Sequence, residues 1–284
     1  MLVLGGCTAD EPVADQNPQT STASSTPSAA PSEDDQAALP PTDGVFDYQL
    51  GGAYDSVEID GDAVPIDVVV RDASAEPLEG AYSICYVNGF QTQPGDDDLW
   101  GDDLLLRDSE GDAVIDPDWP DESVLDPSSD KQRAGILSVI GPVIDGCADD
   151  GYDAVEIDNL DTWTRFPEID EAGAHALARA YVDRAHRAGL AIAQKNAAEI
   201  ADVAHTDLGF DFAVAEECAV WDECGAYRDA YGEHVLQIEY PDALFEAGLT
   251  FANACAAGDR APLTIQRDRD LVAAGGDDYL YEAC

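Results

Sequence analysis

Gly151-Tyr152-Asp153-Ala154-Val155-Glu156-Ile157-Asp158-Asn159-Leu160-Asp161 reads as an inner strand that ends in carboxylates. Val155 and Ile157 alternate with Glu156 and Asp158, and side chains along a strand point alternately to its two faces, so both acids share one face. Parallel barrels place their chemistry where an inner strand ends and the chain turns out into a loop. A second run, Phe210-Asp211-Phe212-Ala213-Val214-Ala215-Glu216-Glu217-Cys218, is again apolar until it stops on acids. Adjacent strand residues face opposite sides, so alternation allows only one of Glu216 and Glu217 to point inward, without deciding which.

Working outward from these two runs, short apolar stretches alternate with helical patterns from residue 44 onward, as β/α units around a parallel sheet require. Strands are expected over 46–50, 66–71, 82–88, 123–126, 153–158, 190–196, 210–216, 234–240 and 262–266. The fold class is therefore α/β, a (β/α)8 TIM-type barrel, and nine runs for eight places leave one as an extra or edge strand. Asp170 is positioned to cap a helix through Leu177, Tyr181, Val182 and Ala185 that Gly189 ends. Another helix is expected from about Ser129 to Ile144, kinked or divided by Pro142. Residues 90–121, rich in Gly, Asp and Pro, read as a long loop over the barrel mouth. No repeat of fixed period is present, which excludes solenoids and propellers.

A chain of 284 residues that is 45% hydrophobic can bury one substantial core. Residues 44–284 form a single expected domain. Residues 8–43, rich in Ser, Thr, Pro and Asp and free of aromatic and basic residues, form an expected disordered linker. Residues 1–7 end in Leu4-Gly5-Gly6-Cys7, which resembles the end of a bacterial lipoprotein signal with Cys7 as the lipidated residue. That implies a membrane-tethered protein at the cell surface or a secreted one. Setting Cys7 aside, Cys85, Cys147, Cys218, Cys224, Cys255 and Cys284 make an even six, as disulfides in an oxidising compartment require. Cys218 and Cys224 can pair across a short loop; the pairing of the other four stays open. His175, His186, His205 and His234 show no ligand spacing, so no metal is expected; Gly-rich phosphate loops are absent, and no organic cofactor is expected.

The net charge is −47, from 60 acids against 13 bases, of which two are lysines. Nucleic acid is thereby excluded as a partner, because phosphate binding needs a basic surface. The acids are spread along the whole chain, which favours adaptation to high salt, with attraction of a cationic polysaccharide as a further consequence.

Two acids at separate strand ends can divide the cleavage of a glycosidic bond between proton donor and nucleophile or base. Seven motifs in order resemble glycoside hydrolase family 114, the endo-α-1,4-polygalactosaminidase group. They are Asp47-Tyr48-Gln49-Leu50-Gly51-Gly52, Ile84-Cys85-Tyr86, Trp119-Pro120-Asp121-Glu122 leading to Leu125-Asp126, Val155 to Asp161, Lys195-Asn196, Glu216-Glu217-Cys218 with Asp222-Glu223-Cys224, and Glu239-Tyr240. The resemblance implies a barrel hydrolase of α-linked, galactosamine-containing polysaccharide, with Asp158 and Glu216 as its catalytic acids. Glu216 is chosen over Glu217 on this match alone. Val87-Asn88-Gly89-Phe90-Gln91, Ile157 and Val124 depart from the family pattern, which bears on the sugar subsites more than on the chemistry.

Lys195 at a strand end is expected to hold a carboxylate ionised or to bind a hydroxyl, which would favour Asp158 as nucleophile and Glu216 as proton donor. Gln49, Asp126, Asn159, Asp161, Asn196, Glu239 and Tyr240 complete the expected substrate-binding set. Tyr48, Trp163 and Tyr240 can offer ring faces to sugars or pack in the core. The alternative is a carbohydrate-binding surface lipoprotein that keeps the barrel without turnover, since fold alone does not fix function.

Overall fold

The computed structural model describes residues 37–284; Cys7, the segment 1–7 and residues 8–36 of the expected linker lie outside the described residues. Residues 37–43 lie against the barrel, where the Ala38 carbonyl accepts from the Tyr82 hydroxyl at 2.6 Å and the Pro40 carbonyl meets His234 Nδ1 at 3.1 Å.

The described residues open with β1 (Phe46–Gln49) and a hairpin, β2 (Ser56–Ile59) with β3 (Asp62–Pro65). It continues with β4 (Val68–Asp72), β5 (Tyr82–Asn88), β6 (Ala154–Asp158), β7 (Ala191–Lys195), β8 (Phe212–Glu216), β9 (Val235–Glu239) and β10 (Leu263–Arg267), and ends in β11 (Tyr281–Ala283). Strands β1, β4 and β5 to β10 pair in parallel in that order, and β11 adds antiparallel to β10. These are the eight barrel places. The ninth expected run, 123–126, is not a barrel strand: Ser123, Val124 and Leu125 make single bridges to Ile115, Gln91 and Leu105. Its apolar residues are buried by the loop after β5, beside Phe90, Leu104 and Leu106, and not by the sheet.

No ladder joins β10 to β1. Arg267, fully buried, closes that seam by donating to Asp47 Oδ1 at 2.7 Å and to the Tyr48 carbonyl of β1, and to the Leu280 and Val272 carbonyls. The Tyr281 hydroxyl of β11 donates to the Phe46 carbonyl at 3.0 Å.

Helices occupy the later connections. The first is α1 (Asp130–Asp150), which starts on a Ser129/Gln132 capping box and runs through Pro142 as one element. Then come α2 (Thr162–Arg165) and α3 (Glu171–Ala188), the latter capped by Asp170 and closed by Gly189 in the left-handed region at φ 82°. A composite turn carrying α4 (Ala201–Val203) leads to β8, and α5 (Cys218–Trp221), α6 (Cys224–Tyr231), α7 (Pro241–Glu246) and α8 (Phe251–Ala256) follow. The connections from β1 to β4 and from β4 to β5 carry no helix, only the hairpin and the turn 73–81, so the β/α alternation begins at β5.

One apolar cluster fills the barrel with Val68, Val70, Ile84, Phe212, Val214 and Leu236. The other lies between sheet and helices and includes Val155, Ile157, Ile136, Ile140 and Tyr181. Alternation therefore sends Val155 and Ile157 outward and Glu156 and Asp158 into the barrel. Three disulfides tie the frame: Cys85 of β5 to Cys147 of α1, Cys218 to Cys224, and Cys255 of α8 to Cys284.

Candidate active site

Three neighbouring strands, β6, β7 and β8, end on Asp158, Lys195 and Glu216, and each is followed at once by a residue in the left-handed region: Asn159 at φ 61°, Asn196 at 51° and Glu217 at 60°. That backbone is costly for residues other than glycine and gathers at functional sites. Here it turns the chain sharply off each strand, leaving the strand's last side chain facing the mouth. Side chains brace the turns. Asn196 accepts from the Glu216 backbone N–H at 2.8 Å and donates to Glu216 Oε2 at 3.3 Å, and Asn159 donates to Asn88 Oδ1 at 3.0 Å.

Lys195, 2% exposed, is the centre. Its Nζ lies 3.3 Å from Asp158 Oδ1, 3.0 Å from Glu216 Oε2 and 3.3 Å from Glu156 Oε1, and donates to the Tyr48 hydroxyl at 3.1 Å. One ammonium touching Asp158 and Glu216 keeps their facing oxygens within about 6 Å of each other, inside the span over which paired carboxylates act on one glycosidic bond. Burial opposes the lysine's charge, but Asp158, Glu216, Tyr48 and Glu156 outweigh it and hold its pKa well above the ordinary range.

Burial alone would raise the Asp158 pKa. Lys195, the Tyr86 hydroxyl donating at 2.7 Å and the Asn159 backbone N–H donating at 2.8 Å overcome that and hold it below the usual carboxylate range. Glu216 accepts from Lys195, Asn196 and the Tyr240 hydroxyl. Glu156, with no exposed surface, is pushed up from 4.5 to about 7 by burial and by the charges of Asp158 and Glu216, against the opposing pull of Lys195 and the Tyr48 hydroxyl.

Tyr48, Tyr86, Asp158, Lys195 and Glu216 line a cavity of about 770 Å³, and Glu156 lies outside its lining. Ten carboxylate side chains line the cavity against three cations, and all three cations are already paired with acids, Lys195 as described. Arg165 pairs with Asp116 at 2.6 Å, and Arg269 pairs with Glu217 at 2.6 Å and Asp242 at 2.9 Å. The loop after β5 contributes Trp119 and Glu122, and the loop after β8 contributes Trp221; both indoles are more than half exposed. Burial raises Glu122 to about 7 against the opposing hydrogen bond from Asn88.

Of the expected site residues, Asp158, Asn159, Asp161, Lys195, Asn196, Glu216 and Tyr240 line this cavity. Gln49, Asp126 and Glu239 lie outside its lining. Gln49 is consumed by Asp47, Tyr54 and Arg71 and Asp126 by Ser128 and Gln132 ahead of α1, while Glu239 accepts from Gln237 and the Ala219 N–H at Oε1 alone. Trp163 packs edge-on against His175.

The expectation that one of Glu216 and Glu217 turns away is corrected. Glu217 is past the strand end, alternation no longer applies, and both carboxylates line the cavity, Glu217 at the Arg269 rim. Sequence reasoning missed Glu156 and Tyr86 as members of the site. Alternation with Asp158 and with Ile84 is the signal that places each on the inner face.

A parallel barrel whose mouth holds two carboxylates on one ammonium, in an open cleft with exposed indoles, defines a carbohydrate-cleaving enzyme of the barrel class. The chain belongs to glycoside-hydrolase family GH114, whose model matches residues 26–284. Its fold is similar to that of Aspergillus fumigatus Ega3, solved in complex with galactosamine, at 21% identity and TM-score 0.66, covering 88% of this chain and 98% of that one. It is also similar to the glycoside hydrolase domain of PelA from Pseudomonas aeruginosa, at 16% identity and TM-score 0.54, covering 82% and 97%. No curated protein sequence matches the chain.

Proposed function

We propose that the protein hydrolyses α-1,4-linked, galactosamine-containing polysaccharide, with Asp158 as nucleophile and Glu216 as proton donor. The observation that carries this reading is the shared ammonium: Lys195 touches Asp158 at 3.3 Å and Glu216 at 3.0 Å. Before bond cleavage the anion is Asp158; afterwards Asp158 is esterified by the sugar and Glu216, having given its proton to the leaving oxygen, is the anion. Lys195 faces one negative charge in both states, so the lysine stabilises the charge wherever it resides without moving. Glu216 then takes a proton from water as the hydroxide so formed releases the sugar, and Asp158 is free again.

The acid-rich cleft supports a cationic amino sugar as substrate, and Trp119 and Trp221 offer ring faces to a polymer. The galactosamine named in the Ega3 complex supports the choice of sugar. Three disulfides fit an extracytoplasmic location, and no helix among the described residues is long and apolar enough to cross a membrane. The Gly5-Gly6-Cys7 sequence supports a lipid anchor at Cys7, to be tested by fatty-acid labelling, which Cys7→Ser should abolish.

The deciding experiment incubates the protein in high salt with partly deacetylated galactosaminogalactan beside Asp158→Asn. Oligosaccharides should appear with the wild type alone; binding without release by either would make this a carbohydrate-binding protein. Roles are assigned with azide and an activated α-glycoside. Asp158→Ala should give the β-glycosyl azide and Glu216→Ala the α-azide, and the reverse pattern exchanges the two residues.

A further inference from the structure

Glu156 has no exposed surface, its Oε2 has no hydrogen-bond partner, and it is not one of the two acids between which the bond is cleaved. A buried carboxyl with an orphaned oxygen costs stability that an apolar residue would not, so its presence needs a reason. Its surroundings supply one. Glu156 Oε1 accepts from the Tyr48 hydroxyl at 2.8 Å, that hydroxyl accepts from Lys195 at 3.1 Å, and the Lys195 ammonium also contacts Glu156 Oε1 directly at 3.3 Å.

We propose that Glu156 is a positioning residue for the hydrolysis: with Tyr48 it fixes the Lys195 ammonium from beneath, between Asp158 and Glu216, and its own protonation sets how much of the lysine's charge those two receive. The inference rests on the catalytic reading given above. The ionisable groups that face Glu156 come from every strand around it: Tyr48 on β1, Tyr86 on β5, Asp158 on β6, Lys195 on β7 and Glu216 on β8. With Glu156 protonated, Lys195 faces a single anion through the whole reaction. When Glu156 ionises, a second negative charge sits beside the same ammonium and shares the lysine's charge with Asp158 and Glu216.

The test compares pH profiles of kcat for the full chain and for Glu156→Gln, which keeps the shape and hydrogen-bonding oxygen but cannot ionise. With no charge able to appear at this position, the alkaline limb should move to lower pH by about one unit, and kcat at neutral pH should fall about tenfold with KM nearly unchanged. Tyr48→Phe removes the bridging hydroxyl and keeps the ring, and should move the limb the same way; it decides the matter should Glu156→Gln not fold. Folded variants whose profiles superimpose on wild type overturn the assignment while Asp158→Asn stays inactive. An Asp158→Asn that retains full activity overturns the catalytic reading itself.

Discussion

Lys195 is the residue on which the site turns, and replacing it separates charge from shape. In Lys195→Met the ammonium that holds Asp158 below the usual range is gone, and burial is free to raise that carboxyl. The nucleophile then stays protonated to higher pH, so the acid limb of kcat should rise, while turnover at the optimum falls by about 10² to 10³. A rate within a few-fold of wild type with an unmoved acid limb would mean that the lysine only fills space. The inner-face positions of Asp158 and Glu156 follow from period-two alternation alone, because β6 is regular to its last residue. Glu217 was not legible for the opposite reason: its positive φ lies one residue beyond the strand, where no periodicity operates. Gln49 and Glu239 show a third limit. Both are fully buried polar residues on barrel strands, and whether such a side chain faces substrate or backbone depends on partners distant in sequence, such as Arg71 and Ala219.

At the scale of elements, the disulfides do two kinds of work. Cys85–Cys147 closes a loop of 62 residues between β5 and α1, and loop-closure entropy assigns it about 4 kcal/mol of stability. Cys218–Cys224 closes only six, for about 2 kcal/mol, but it encloses α5, whose two flanking residues Glu217 and Asp222 both sit at positive φ. The double Ser variants should therefore behave oppositely. Opening Cys85–Cys147 should lower the denaturant midpoint more than the activity. Opening Cys218–Cys224 should cost less stability and more activity, because Glu217 and Trp221 of the cavity wall hang on that loop. Equal losses of activity would rule out this division. The strands and the two long helices were readable because each carries its own period and caps. The run 123–126 imitates a strand because its apolar residues are buried, and burial by an irregular loop leaves the same mark in sequence as burial by a sheet. The unladdered seam was beyond sequence reading, since one arginine spans it with bonds to Asp47, 220 residues away.

The whole molecule carries −47, and that repulsion acts on the folded barrel in every solvent that does not screen it. Buried acids respond differently, because salt screens surface charge far more than charge inside a low-dielectric core. Glu156 and Glu122 are both raised to about 7 in the folded state, so between the ordinary 4.5 and about 7 the folded protein binds more protons than the unfolded chain. Stability must then fall as pH rises across that window, by on the order of 3 kcal/mol for Glu156 alone, and level off above it. Thermal unfolding followed from pH 4.5 to 8.5 in dilute buffer and in molar NaCl separates the two effects. Salt should raise Tm at every pH, through relief of surface repulsion. The part of the downward slope that belongs to Glu156 should survive in high salt, because that carboxyl has no exposed surface. A Tm indifferent to salt would remove halophilic adaptation as the meaning of the charge. A flat profile in molar NaCl would show instead that Glu156 is ionised across the range, leaving Lys195 with a second anion beneath it at every pH.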